Sequence, residues 1–247
     1  MSGLAVHHAT MAPLDVLMRT TRFAIVSKPS GLSVHRGWDP SPDNAMRRAR
    51  GLFRVHVYPV HRLDRGTSGA LVMALDAEAA GALGKLFARG EVDKEYVALV
   101  RGAVDSVGTI DRPLKRKDGD VLLDARTEVA CLARLGERLS LVSAAPRTGR
   151  LHQIRRHLKG IGRPVLGDSN HGDLRVNRAV RDECGLQRLA LHARRIRFDD
   201  PFEGQRVDVV APLPPDLRGP LGRLGFDPAL LDVLDGDAGA STSPQGT

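Results

Sequence analysis

The most densely polar loop of the chain reads His61-Arg-Leu-Asp-Arg-Gly-Thr-Ser-Gly69. Its single carboxylate, Asp64, stands among cationic side chains, Thr67 adds a hydroxyl, and the two glycines allow tight turns. An ionised carboxylate can act as a nucleophile or as a general base. The same pattern also suits a solvated loop in which Asp64 only pairs with Arg62 or Arg65. The residues alone leave both interpretations open.

Apolar segments on both sides of this loop predict the surrounding elements. Residues 70–75 are typical of a buried strand, and Asp76 is the expected N-cap of a helix that ends at Gly90. The pattern predicts further strands at 23–27, 96–100, 127–135, 139–143, 189–198 and 207–210, and further helices after Asp43 or Asn44 and over 151–159. Strands and helices do not alternate, and several strands look hairpin-linked. We therefore predict an α+β fold with a mostly antiparallel mixed sheet flanked by helices.

Composition and charge narrow the class of protein. The chain has 247 residues, of which 42% are hydrophobic and 27% charged, a balance that excludes a disordered chain or a fibre. No apolar run approaches the roughly 20 residues that span a bilayer, so no membrane association is expected. The net charge is +8, and because only six of the 37 cationic residues are lysines, 37 − 6 = 31 are arginines. Arginine recognises phosphate well, which favours a nucleic-acid partner, although codon bias would give the same excess.

Cysteine usage and the N-terminus indicate the compartment. Cys131 and Cys184 are too few for a disulfide scaffold or a four-cysteine zinc site. The first 18 residues lack the basic start and unbroken apolar run of a secretory signal. We expect reduced thiols and a cytoplasmic protein.

A second basic stretch covers residues 146–159. If a helix begins at Leu151, then Leu151, Ile154 and Leu158 share an apolar face, and Arg155 lies near its border, where it can point into a cleft. The other cations of the stretch suit either phosphate contacts or a solvated basic helix.

The loop Gly167-Asp-Ser-Asn-His-Gly-Asp-Leu-Arg175 combines turn formers with side-chain donors. Asp168, His171 and Asp173 are compatible with a metal site, but an Asx-turn loop with internal hydrogen bonds is the favoured interpretation. The sequence contains no nucleotide-binding or metalloprotease motif.

Five ordered motifs resemble those of the RluA-type pseudouridine synthase family. The polar loop resembles the HRLDxxTSG signature of that family. The other four are Lys28-Pro-Ser-Gly31 with Val34-His35, Lys94-Glu-Tyr-Val-Ala-Leu-Val-Arg-Gly102, Thr148-Gly-Arg-Leu-His-Gln-Ile-Arg-Arg-His-Leu158 and Leu189-Ala-Leu-His-Ala193. The resemblance covers residues 23–210 and is greatest to the tRNA pseudouridine-65 synthase branch.

The resemblance implies a pseudouridine synthase catalytic fold without an S4 domain, over residues 23–234. Residues 1–22 would be an N-terminal extension, and residues 235–247 a disordered tail. The implied activity is isomerisation of a uridine in RNA, most simply at a tRNA site like uridine 65. The alternatives are a 23S rRNA pseudouridine synthase and, more remotely, a non-catalytic RNA-binding protein. A glycosidase usually needs two carboxylates, whereas the motif loop offers one. No metal, nucleotide or other cofactor is implied, and the lack of an extended apolar stripe favours a monomer.

The resemblance also implies residue roles. Asp64 would be the catalytic carboxylate, Arg155 its ion-pair partner, and Tyr96 the ring that packs on the target uracil. Arg62 would fill the space that a flipped uridine leaves. The remaining candidates for the substrate pocket are His61, Thr67, Leu189 and Leu191, and those for phosphate contacts are Arg47, Arg48, Arg147, Arg150 and Arg156.

Overall fold

The computed structural model describes residues 13–36, 41, 43–105, 108–116 and 119–236. The described strands are β1 (Asp15–Arg19), β2 (Phe23–Lys28), β3 (Tyr58–Pro59), β4 (Ser68–Ala74), β5 (Asp93–Arg101), β6 (Thr109–Asp111), β7 (Leu114–Lys115), β8 (Leu122–Leu123), β9 (Arg126–Leu135), β10 (Leu139–Pro146), β11 (Leu191–Asp199) and β12 (Arg206–Val210). The described helices are α1 (Ala45–Phe53), α2 (Ala77–Arg89), α3 (Gln153–Gly160), α4 (Leu174–Cys184), α5 (Pro215–Leu224) and α6 (Pro228–Asp235). None of these six helices has the length and apolarity needed to cross a membrane.

One large sheet carries most of the strands. Its order is β1-β2-β4-β11-β5-β10-β9-β6, while β12 pairs with the end of β11 and β3 pairs with β4. Every described pairing in this sheet is antiparallel except that of β4 with β11. The α+β prediction with a mostly antiparallel mixed sheet is confirmed. The parallel contact joins the end of the polar loop to a strand more than a hundred residues later in the chain.

Gly69 makes this parallel contact possible. Its backbone has φ +112°, and a Cβ at this position would lie 2.2 Å from the carbonyl oxygen of Ala193. Any larger residue would therefore push β4 away from β11. The glycine that closes the polar loop is thus required by the sheet itself.

A buried polar network crosses the same contact. Arg188 donates through Nη2 to Ser68 Oγ at 2.6 Å, and Ser68 Oγ lies 2.8 Å from His192 Nδ1. His192 Nε2 lies 2.9 Å from the carbonyl oxygen of Ala211, which can only accept, so Nε2 carries the proton and Nδ1 accepts from Ser68. His192 is completely buried and is held as a neutral imidazole with both nitrogens bonded.

The helix boundaries follow local signals in the sequence. Asn44 and Asp76 cap α1 and α2 by accepting from the amides of Arg47 and Ala79, and Gly90 ends α2 in a left-handed conformation. These three predictions are confirmed. The predicted helix over 151–159 starts later, at Gln153, because His152 has a left-handed backbone (φ 52°). Leu151 therefore lies outside the helix and is exposed rather than part of its apolar face.

Some elements were not predicted. Strand β1 lies within residues 1–22 and pairs antiparallel with β2, so the sheet begins before Phe23. Helices α4, α5 and α6 were not predicted either, and α5 and α6 each carry a proline in the first turn and end at a glycine. Of the proposed extension and tail, residues 1–12 and 237–247 lie outside the described part of the chain.

The neutral state of His192 predicts a specific loss of stability in acid. Burial lowers the pKa of His192 from 6.5 to about 4. Between these values the unfolded chain takes up a proton that the folded chain does not, so stability present above pH 6.5 is lost as the pH falls towards 4. This one group accounts for about 3 kcal/mol over that range.

Urea unfolding between pH 4 and 7.5 measures this effect. We expect the unfolding free energy of His192→Gln to depend less steeply on pH than that of the wild type, by up to one proton. The control variant His56→Gln removes an exposed histidine instead, and the unfolding free energy of His192→Gln should depend less steeply on pH than that of this variant as well. Equal slopes for His192→Gln and the wild type would contradict the neutral assignment.

Candidate active site

A cleft of about 790 Å³ lies beside the polar loop. Its walls come from the loop itself, from the C-terminal half of α2, from the start of β5 and from residues 146–155. The volume is within the range of small-molecule sites, about 300–1,000 Å³. Asp64, Tyr96 and Arg155 all line this cleft, although they are far apart in the sequence.

The central contact of the cleft is an ion pair between Asp64 and Arg155. Nη1 of Arg155 donates to Asp64 Oδ2 at 3.0 Å. The same guanidinium donates through Nε and Nη2 to the two carboxylate oxygens of Asp168, at 2.7 and 2.8 Å. Such two-bond pairing fixes the plane of the guanidinium. Arg155 is therefore a rigid bridge from a buried anchor to the partly exposed Asp64.

Asp168 is suited to the role of anchor. Its side chain is fully buried, and its Oδ1 also accepts from the backbone amides of Asn170 and His171 at 2.9 Å each. Burial by itself favours the neutral acid, but the hydrogen bonds from Arg155 and from the amides outweigh it and lower the pKa of Asp168. The Asx-turn prediction for this loop is confirmed. Its use as the support of Arg155 was not predicted.

Residues 28–31 hold the polar loop from below. The buried Lys28 donates to the carbonyl oxygens of Leu32 at 2.6 Å and of Arg65 at 3.2 Å. Ser30 Oγ donates to the carbonyl oxygen of Gly66, and Gly31 exchanges two hydrogen bonds with Arg65. Burial, followed by the positive charge of Arg188, lowers the pKa of Lys28 to about 7. These hydrogen bonds fix the backbone immediately after Asp64, at Arg65 and Gly66.

Tyr96 lines the same cleft, as does Leu191. It lies on β5, in register with Ala144 of β10 and Ala193 of β11. Burial, and secondarily the negative charge of Asp64, raises the pKa of Tyr96, so the phenol is neutral at physiological pH. Leu189 does not line the cleft. It packs beneath the loop, where a Cβ on Gly66 would lie 3.1 Å from its Cβ.

His61 and Thr67 both line the cleft, and both also shape the loop. His61 Nε2 accepts from the amide of Val72 at 2.9 Å, and its ring stacks on Phe87 at 4.5 Å. Burial lowers the pKa of His61 to about 3, so this ring is neutral. The amide of Thr67 donates to the carbonyl oxygen of Asp64 at 3.0 Å.

The six arginine candidates fall into different places. Arg62, Arg147 and Arg150 line the cleft, and Arg156 lines a neighbouring groove. Arg47 and Arg48 lie on α1 and line neither. Arg147 is paired with both Asp93 and Glu128, and Arg48 is paired with Asp43.

The metal alternative has no support in the described part of the chain. Asp168 is occupied by Arg155, and Asp173 caps α4 and pairs with Arg101. Among the described residues, no group of His, Cys, Asp and Glu side chains has the arrangement of a metal site.

Comparisons with known proteins agree on one family. A family model described as RNA pseudouridylate synthase matches residues 22–159. The tRNA pseudouridine synthase C of Haemophilus ducreyi is 38% identical over 224 residues, which cover 80% of this chain and 90% of that protein. The protein of the same name from Vibrio cholerae is 34% identical over 241 residues, which cover 88% of this chain and 98% of that protein.

Solved structures give the same result. Human RNA pseudouridylate synthase domain containing 4 matches with a TM-score of 0.70 and 26% identity, covering 85% of this chain and 92% of that chain. Human RNA pseudouridylate synthase domain containing 1 matches with a TM-score of 0.68 and 28% identity, covering 83% of this chain and 86% of that chain.

The contact between Asp168 and Arg155 predicts that an isosteric change at the buried Asp168, which does not itself line the cleft, lowers the rate of catalysis. In Asp168→Asn an amide NH₂ replaces one acceptor of Arg155, so the guanidinium shifts and no longer holds Asp64 in place. Misplacement of a catalytic group by about 1 Å can cost about 100-fold in rate. We expect the turnover number to fall by about that factor, with little change in the Michaelis constant for RNA.

Steady-state kinetics of purified Asp168→Asn, with thermal unfolding recorded in parallel, test this expectation. Asp173→Asn is the matched control, because Asp173 lies in the same loop but does not touch Arg155. Wild-type turnover in a folded Asp168→Asn protein would show that Asp168 does not position the site.

Proposed function

This chain belongs to the RNA pseudouridylate synthase family, and we propose that it isomerises a uridine of tRNA with Asp64 as the catalytic carboxylate. The observation that carries this proposal is the Asp64–Arg155 ion pair at the edge of a cleft that also contains Tyr96. The chain is thus an isomerase of the pseudouridine synthase class. A protein that only binds RNA would not need this trio of residues.

The reaction breaks the bond between N1 of the uracil and C1′ of the ribose. The uracil then turns, C5 bonds to C1′, the C5 proton leaves, and N1 becomes protonated. Asp64 acts at the ribose, as nucleophile or as base, and the hydrogen bond from Arg155 holds it in a fixed rotamer. Tyr96 packs against the uracil, and its neutral phenol can serve in proton transfer at C5 as a relay, releasing its own proton as it accepts the one that leaves C5.

The target uridine must leave its stack to enter the cleft. Extruding a nucleotide from a helix costs a few kcal/mol. Arg62 is exposed at the rim of the cleft, two residues from Asp64, where it can occupy the vacated position or hold the displaced backbone. Leu191 supplies apolar surface for the base inside the cleft.

The names of the relatives support tRNA as the target. We propose a site like uridine 65, which the resemblance of the sequence motifs implies. Since substrate and product are isomers, the reaction needs no group donor, and we propose that the enzyme works without a cofactor. We also propose a monomer in the cytoplasm, since the large apolar side chains exposed in the described part of the chain are spread over different elements.

The strength of the phosphate contacts proposed for five of the arginines depends on whether a nearby carboxylate already compensates the charge of each arginine. No described carboxylate lies within 4.0 Å of Arg156, whose Nη1 reaches only the carbonyl oxygen of Leu151 at 3.4 Å. The groove next to it also contains Arg112 and Lys159. We propose that this groove contributes more to RNA binding than Arg147, which is shared between two carboxylates.

Substitution of Asp64 tests the function directly. We expect Asp64→Asn and Asp64→Ala to lose turnover completely while their RNA affinity stays within a few-fold of the wild type. Release of tritium from tRNA labelled at C5 of uridine measures turnover, because the C5 proton leaves in the reaction. The exposed Asp182 gives the control Asp182→Asn, which should be fully active. Near wild-type turnover in Asp64→Ala would disprove the role of Asp64.

The same assay on tRNA and on 23S rRNA tests the target. Tritium release from rRNA alone would disprove the tRNA target, and release from neither RNA would disprove the function.

The salt dependence of RNA binding separates the two kinds of arginine. Removing one phosphate contact should flatten the plot of log affinity against log salt by about 0.7–0.9. We expect this change for Arg156→Gln and a smaller one for Arg147→Gln. Equal slopes for both variants would contradict the argument from charge compensation.

A further inference from the structure

His152 is a second cleft residue directed at Asp64, and it has an unusual backbone. Its φ of 52° and ψ of 30° lie in the left-handed region, which few residues other than glycine adopt. The next residue, Gln153, is buried and makes four side-chain hydrogen bonds, to Thr148, Arg150, Arg126 and Thr127. The four hydrogen bonds of Gln153 hold the backbone of His152 in its strained conformation. Strain of this kind is common at functional sites.

His171 fixes the orientation of the His152 ring. His152 Nδ1 and His171 Nε2 are 3.0 Å apart, so one of them donates to the other. The other nitrogen of His152, Nε2, faces Asp64 Oδ1 at 3.9 Å, and a neighbouring carboxylate favours a proton there. Nδ1 of His152 then accepts from Nε2 of His171. The result is an N–H group that points towards Asp64.

Two series of contacts lead from Asp168 to Asp64. One runs through Arg155 to Oδ2, and the other runs through the Asp168-bound amide of His171 and the ring of His152 to Oδ1. The first series ends in a direct hydrogen bond from Arg155 to Asp64, whereas the second ends at His152, which is too far from Asp64 to form one. At 3.9 Å, Nε2 and Oδ1 are too far apart to form a hydrogen bond with each other. A single oxygen atom can lie about 2.8 Å from each of them and so bridge the two groups.

The hydrogen-bonding needs of His152 and Asp64 determine which group of a bound nucleotide can bridge them. On one side the His152 N–H requires an acceptor, and on the other side the Asp64 carboxylate requires a donor. A uracil carbonyl or a phosphate oxygen can only accept, and a base N–H can only donate. A hydroxyl does both. The only hydroxyl on a nucleotide within an RNA chain is the 2′-hydroxyl of its ribose, next to the carbon whose bond is broken.

We infer that His152 binds the 2′-hydroxyl of the target ribose, donating to that oxygen the N–H that faces Asp64. The hydroxyl in turn donates to Asp64 Oδ1. This inference rests on the proposed function and deepens it, because it assigns a residue that distinguishes a ribonucleotide from a deoxyribonucleotide at the target position.

Equilibrium binding to two tRNAs tests the inference. One carries pseudouridine, the reaction product, at the target position, and the other carries 2′-deoxypseudouridine there. The two RNAs differ only in the 2′-hydroxyl, and neither is turned over. We expect the wild type to bind the hydroxyl-bearing RNA about tenfold more tightly, as one hydrogen bond of this kind allows.

The variants of His152 should abolish this preference. His152→Phe keeps the ring size without a donor, and His152→Asn tolerates the left-handed backbone but is too short to reach the gap. In both, the two RNAs should bind equally, because affinity falls only for the RNA with the hydroxyl. The preference should be reduced in His171→Phe and unchanged in the control His56→Phe, which alters an exposed histidine outside the cleft.

Two outcomes would overturn the inference. One is a wild type that binds both RNAs equally, and the other is a tenfold preference that persists in both His152 variants. In either case tritium release by the wild-type enzyme would still support the proposed function. An absence of tritium release from any RNA would instead refute the proposed function.

Discussion

The Arg155 guanidinium, shared between Asp168 and Asp64, is the interaction on which the cleft depends. An arginine with a side chain only 7% exposed must be paired, because a buried charge without a partner is very costly. Asp168 provides that pairing with two hydrogen bonds, from Nε and Nη2, and Nη1 donates to Asp64. The carboxylate of the polar loop is therefore positioned by residues about a hundred positions away. This is why α3 and the loop after it must pack beside the polar loop that leads into β4.

The loop around Asp64 is held just as firmly by its backbone. Lys28, Ser30 and Gly31 donate to the carbonyl oxygens of the two residues that follow Asp64, and the Arg65 side chain donates back to Gly31. Gly69 allows the end of the loop to pack closely against β11. Burying an amine so deeply that its pKa falls to about 7 works against stability. This unfavourable contribution falls where the amine fixes the backbone that directly follows the Asp64 carboxylate. Stability and site geometry are thus set by the same few contacts.

The sequence predicted well those helix ends that are marked by a capping residue. Asn44, Asp76 and Gly90 mark helix boundaries through caps that depend only on neighbouring residues. The start of α3 was misplaced, because the left-handed backbone of His152 is imposed by the tertiary contacts of Gln153. The motifs of the sequence pointed to Asp64, Tyr96 and Arg155. They did not reveal the anchoring role of Asp168 or the contact between His152 and His171, since both depend on a loop folding back on α3.

The excess of arginine has two physical uses in this fold, and only one of them is available to RNA. Arg155, Arg188 and Arg194 are buried and bonded to carboxylates or backbone carbonyls, so they stabilise the interior. Arg147 is exposed but shared between two carboxylates, which leaves it little field to attract a phosphate. A cation acts at long range only where its charge is not balanced locally. The net charge of +8 is therefore a poor guide to the RNA-binding surface, and the positions of the uncompensated cations, such as Arg156 beside the cleft, are a better one.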